Sequence, residues 1–204
     1  MDLNFFIKGL MIGFSIAAPV GPIGVLCIRR TLSDGRAYGL VSGLGAAAAD
    51  AVYGCIAGFG LTFVSNLLIE QQRWLRLGGG IFLCYLGIRT FLSRPHSQEA
   101  VTGGNGPFSA FASTFFLTLT NPITIISFAA IFTGLGIVSA QGDYFSAGIL
   151  VAGVFLGSGL WWFILSGTVS FFRTQFNSDK MGWINRLAGI IIAGFGLLAL
   201  FNTI

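Results

Sequence analysis

Six apolar runs, separated by short polar breaks, set the pattern of this chain. They fall at about Phe5–Ile28, Tyr38–Leu61, Leu75–Leu92, Phe111–Val138, Phe145–Phe172 and Leu187–Ile204. The second continues weakly to Ile69. A helix crosses the hydrocarbon core of a bilayer with about 20 mostly apolar residues, and these runs have that scale. The pattern predicts an all-α, polytopic membrane protein of six transmembrane helices. One transmembrane domain then occupies residues 1–204, with halves of about 1–95 and 108–204 joined by a polar loop at 93–107.

The halves resemble each other. Arg76-Leu77-Gly78-Gly79-Gly80-Ile81 aligns with Arg186-Leu187-Ala188-Gly189-Ile190-Ile191, and Gly21-Pro22-Ile23 parallels Asn121-Pro122-Ile123. Three helices per half is an odd number, so the two three-helix repeats are expected to be inverted. Inverted repeats about an axis in the membrane plane are a signature of secondary transporters.

Composition strengthens the membrane reading. Charged residues make up 9% of the chain and hydrophobic ones 54%, whereas soluble domains carry about 25% charged residues. Glycine, at 30 residues, runs at about twice its usual frequency, as suits helices whose backbones approach closely. The net charge of +4 does not point to nucleic acid, because the basic residues sit in the breaks between apolar runs. Arg29, Arg30 and Arg36 flank the first loop, Arg89 and Arg94 the third, and Arg173, Lys180 and Arg186 the fifth. Lys8, Arg73 and Arg76 fall on the other side. By the positive-inside rule the odd-numbered loops are cytoplasmic and both termini lie outside. The first run lacks a basic leader before it and is expected to be a retained helix.

The candidate chemistry concentrates at two breaks and one acid. Pro19-Val20-Gly21-Pro22 falls near the middle of the first run, where proline removes a backbone donor and glycine loosens the chain. That run is expected to be broken or strongly kinked there. In the fourth run Asn121 reads as an N-cap and Pro122 as the first residue of a fresh helix. Broken backbone at membrane depth belongs in protein or on a polar cavity, so matched breaks point to a central site. Asp50, the one acid deep inside a run, is expected to carry a proton, bind a cation or hold a substrate amine, with Tyr53 one turn on as a structural partner. Thr114, Thr118, Asn121 and Thr124 are spaced for one helical face, either bonding a neighbouring helix or lining a path. Trp161 and Trp162 read as packing. Cys27, Cys55 and Cys84 read as small buried hydrophobes, and His96, the lone histidine, as a solvated loop residue.

Absences narrow the function. No phosphate-cradling Gly-rich Lys motif, no His-Glu-x-x-His and no nucleophile elbow occurs in the chain. No enzyme activity, cofactor or bound metal is expected. A metal-ion transporter or channel is the alternative reading, but metal needs several ligands at depth and the chain offers Asp50 and isolated cysteines. A membrane-embedded thiol relay or enzyme is a further alternative that lacks paired cysteines. On residues alone, the chain is a small-solute transporter in a lipid bilayer, with self-association left open.

Several of these segments together resemble the LysE family of translocators, also called the lysine exporter or RhtB-type family. They are Ala18-Pro19-Val20-Gly21-Pro22-Ile23, Arg29-Arg30-Thr31-Leu32, Gly35-Arg36, Gly39-Leu40 and Gly43-Leu44-Gly45, then Asp50 through Tyr53. Phe116-Leu117-Thr118-Leu119-Thr120-Asn121-Pro122 agrees in the second half. Many members have a contiguous Pro-Gly-Pro; here Val20 intervenes, so the resemblance carries over Gly21-Pro22 more firmly than Pro19. It implies a bacterial inner-membrane exporter of an amino acid or amino-acid derivative, driven by the ion gradient. The expected site then lies near the midplane between the first, second and fourth spans. The substrate carboxylate would meet the restarted helices around Gly21, Pro22, Asn121 and Pro122. Its amine would meet Asp50, which is also the candidate for proton coupling, with Tyr53, Thr118 and Thr124 nearby.

Overall fold

The computed structural model describes residues 2–19, 21–59, 70–92, 106–121, 124–128, 131, 144–172 and 178–201. Its long helices are α1 (Asp2–Ala17), α2 (Pro22–Ser33), α3 (Arg36–Gly58), α4 (Gln72–Phe91), α5 (Pro107–Leu119), α6 (Tyr144–Phe172) and α7 (Ser178–Phe201). A short helical stretch covers 124–128, and no strand occurs among the described residues. Pro122, Val20, His96 and most of the predicted 93–107 loop lie outside the described residues.

The first apolar run is two helices, not one. α1 and α2 meet at 80°. The helical ladder ends where Ala18 N–H reaches Phe14 O at 3.0 Å, and a tight turn follows in which Gly21 N–H bonds Pro19 O, also at 3.0 Å. Pro22 then opens α2 at its first turn, where its missing N–H costs nothing. α2 closes at Asp34, and Gly35 takes φ 106°, a conformation that glycine reaches without strain. The two-residue turn brings α3 back alongside α2.

α3, α6 and the stretch Gly182–Phe201 are each long and apolar enough to cross a membrane, and α1 with α2 passes that measure as a bent pair. α4 holds Arg73, Arg76 and Arg89 and falls short of it. α5 is a shorter apolar helix. Large apolar side chains such as Ile81, Ile88, Phe163, Ile190 and Leu197 stand on the outer surface, as they would toward lipid.

Small residues decide which helices meet. A Cβ at Gly9, Gly13, Gly153 or Gly157 would collide with the facing backbone of the α1–α6 pair. Gly87, Gly189 and Gly196 do the same between α4 and α7, and a Cβ at Gly80 would press on Leu200 and the Gly196 carbonyl. Without a hydrophobic drive between helices in lipid, such backbone contact is what holds a membrane bundle together. α3 runs through the middle, packed on α2, α5 and α6. One core cluster gathers Leu26, Ala46, Leu83, Leu117, Trp162 and Ile192; a second gathers Ile12, Tyr53, Ile125, Phe128, Leu150 and Val154.

Candidate functional site

Two helix breaks meet at one cavity. α5 ends at Leu119 with Thr120 N–H bonded to Phe116 O at 3.0 Å, and Asn121 N–H turns back to Thr118 O at 3.1 Å. Asn121 O then accepts from Ile125 N–H of the helical stretch 124–128 at 3.2 Å, the bond that an N-cap carbonyl makes. α2 restarts at Pro22 with Gly21 as its N-cap and no side-chain cap. Pro22, Thr120 and Asn121 share the wall of a cavity of about 250 Å3 with Arg76, Gly79 and Gly80 of α4 and Phe195, Leu198 and Ala199 of α7. Leu83, Leu117 and Ile126 complete it. The α2 end offers the N–H groups of its first turn and the positive end of its dipole; the α5 end offers carbonyls and the negative end.

Asp50 stands apart from that wall. It is 3% exposed in α3 and faces α6, where Ser158 Oγ donates to its Oδ2 at 2.7 Å. Trp162 Nε1 donates to the same Ser158 Oγ at 3.2 Å, which orients the hydroxyl toward the carboxyl. Gly43 makes room for Trp162: a Cβ there would run into the indole. Tyr53 is not the partner of Asp50. Its hydroxyl donates to Leu119 O at 2.5 Å, at the end of α5 beside the cavity. α3 therefore carries the buried acid and, one turn on, the tether to the α5 break.

The threonine stripe serves the helices. Thr114 Oγ1 donates to Ser42 O at 2.6 Å, joining α5 to α3, and Thr118 Oγ1 donates to Thr114 O at 2.8 Å within its own helix. Thr124 is buried beyond the break. Because the helix stops at Leu119, the spacing of four and three does not carry one face through Asn121 and Thr124. Trp161 meets Phe14 edge-on, with ring centroids 5.5 Å apart.

Three roles were not evident from sequence. Ser158 sits in Gly157-Ser158-Gly159, which reads as a packing motif. Arg76 reads as a topology charge but lines the cavity beside Gly79 and Gly80. Arg30 bonds Ser42 Oγ at 2.8 Å, Ala110 O at 3.0 Å and Ser113 Oγ at 2.8 Å, while Arg29 Nε donates to Asn185 Oδ1 at 3.0 Å. The end of α2 is thus clamped to α3, α5 and α7. The available signal was that Arg29 and Arg30 directly follow the apolar run ending at Ile28 and that Arg76 falls inside the run beginning at Leu75. Among the described residues no three His, Cys, Asp or Glu side chains gather as a metal site.

Residues 14–203 match the family described as LysE type translocator. A Bacillus subtilis protein provisionally named for amino acid efflux is 28% identical over 95% of this chain and 94% of its own length. The threonine efflux protein of Salmonella typhimurium is 25% identical over 97% of each chain. That of Escherichia coli is 25% identical over 96% of this chain and 97% of its own. No solved structure matches the chain.

Proposed function

Because the chain belongs to the LysE type translocator family, we propose that it is a secondary transporter exporting an amino acid or amino-acid derivative across the bacterial inner membrane, coupled to the proton gradient. As a family member it is a membrane translocator and not an enzyme. The observation that carries the reading is the meeting of two broken helices on one cavity. Freed backbone at membrane depth supplies polar groups to a small solute that apolar spans could not. The names of the relatives, amino acid and threonine efflux, agree in substrate class and direction.

The proposed architecture is six spans in two inverted repeats. Several contacts support it, because exchanging the halves reproduces them. α1 packs on α6 as α5 packs on α3, while α3–α6 and α4–α7 map onto themselves. Asp50 and Ser158, 108 residues apart, occupy the same step counted from Arg36 in α3 and from Tyr144 in α6. At the same 108-residue shift, Gly45 lies against α5 as Gly153 lies against α1. Gly43 against Trp162 becomes Val151 against Gly54, and both contacts occur.

In the proposed cycle the substrate carboxylate meets the α2 start around Gly21 and Pro22 and the restart around Asn121 and Pro122. Its amine meets the carbonyl end of α5. Asp50 takes and releases the proton, since it is buried against Ser158 rather than on the cavity wall. Protonation removes the carboxylate's charge from the α3–α6 seam, and Tyr53 passes the resulting movement of α3 to the α5 end. Thr118 and Thr124 brace the break from either side.

Purified protein in liposomes, loaded with a panel of amino acids under an imposed pH gradient, tests the reading. Gradient-driven export of at least one amino acid is expected. Asp50→Asn keeps the size and the hydrogen bond and removes the titration. It is expected to lose gradient-driven export while keeping substrate exchange. Proton-driven export by Asp50→Asn at the parental rate removes Asp50 from the cycle.

A further inference from the structure

We infer that the cavity at the two breaks selects a neutral amino acid with a small apolar side chain, and that Arg76 is the charge partner of its carboxylate. This deepens the exporter reading and rests on it. Among the described residues, Arg76 contributes the one formal charge on the cavity wall, and no acidic side chain lines it. Thr120 and Asn121 add neutral polar groups, and the rest of the described wall is glycine, aliphatic or aromatic, with Leu83, Leu117 and Phe195 among it.

Each part of a zwitterion finds a counterpart there. A guanidinium holds a carboxylate through two parallel N–H bonds, stronger than neutral hydrogen bonds. The first turn of α2 adds positive dipole from the same side of the cavity as Pro22. The ammonium suits the α5 end at Leu119 and Thr120, where helix carbonyls carry partial negative charge. The volume of about 250 Å3 is below the range of pockets for drug-sized ligands, roughly 300–1,000 Å3. A free amino acid with a small aliphatic side chain suits that scale.

The same wall rejects charged side chains. The second ammonium of lysine would be stripped of water against leucine and phenylalanine side chains with a like charge at Arg76 for company. The second carboxylate of glutamate would be buried with the one guanidinium already engaged. Selectivity here is mostly exclusion, and it needs no dedicated contact to the side chain.

Competition against radiolabelled leucine on the purified protein in detergent tests the inference without relying on transport. Leucine, isoleucine and valine are expected to displace the label. Leucinamide, which lacks the carboxylate, and lysine and glutamate are expected to be weaker by about 10-fold or more. Arg76→Gln is expected to weaken leucine binding about 10- to 100-fold, with Arg76→Lys in between because it keeps the charge and loses the fork. Leucinamide competing as well as leucine, or lysine competing better, overturns the inference on the unsubstituted protein even if the variants fail to fold. Unchanged leucine affinity in folded Arg76→Gln overturns it as well. Liposomes that export lysine while the protein ignores leucine leave the exporter reading standing and remove this one. Export of no amino acid removes both.

Discussion

A carboxyl between two membrane helices costs several kcal/mol unless something answers it. Among the described residues, Asp50 Oδ2 accepts from the hydroxyl of Ser158, which Trp162 holds in place from the next turn of α6. The three groups act as a unit, so their effects should not add. Ser158→Ala removes the donor and leaves the backbone free to stay helical. It is expected to cost about 1–3 kcal/mol of stability in detergent melts and to slow gradient-driven export severalfold. In Asp50→Asn the same Ser158→Ala change should cost less, because a neutral amide needs the donor less than a carboxylate does; the interaction energy should be about 1 kcal/mol or more. Additive effects, with no interaction energy, would separate Ser158 from Asp50. The acid itself was legible as the one deep charge in an apolar run. Its partner was not, because 108 residues separate them and serine between two glycines looks like helix packing.

At the scale of elements, the break before α2 was readable because its causes are local: Pro19, Gly21 and Pro22 act on their own backbone. Pro22→Ala restores a donor and lifts the clash with the preceding turn. It is expected to let α1 and α2 approach a continuous helix, to drop transport at least 10-fold and to leave membrane insertion intact. Parental transport rates would mean that the bend is a packing feature. The ends of helices were less readable. Hydropathy places the last span from Leu187, yet α7 begins at Ser178. Hydropathy marks where a helix is apolar, and the first turns of α7 carry Asp179, Lys180 and Asn185 while remaining helical. Asn185 is 1% exposed because it accepts from Arg29, a tertiary bond that no local pattern encodes. Likewise Gly80 and Gly87 read as generic packing glycines; that they meet Gly196 and Gly189 on α7 depends on how the halves fold together.

At the scale of the molecule, orientation follows from charge, and the structure changes the weights. Of the eight basic residues assigned to odd-numbered loops, Arg29 and Arg30 are clamps bonded to Asn185, Ser42 and Ser113. Of the three assigned to the other side, Arg76 lines the cavity. Removing these from both counts still leaves the excess on the odd-numbered loops, so charge alone continues to predict loops one, three and five cytoplasmic and both termini outside. Asp34, exposed in the turn between α2 and α3, and Gln71, exposed before α4, report on opposite ends of the second span. In a protein whose Cys27, Cys55 and Cys84 have been replaced, Asp34→Cys should react with a membrane-impermeant maleimide only from the cytoplasmic side. Gln71→Cys should react only from outside. The reverse result turns the molecule over but keeps α3 as one crossing. Labelling of both positions from the same side would mean that the chain between them does not cross the membrane once, and the six-span inverted repeat would fail with it.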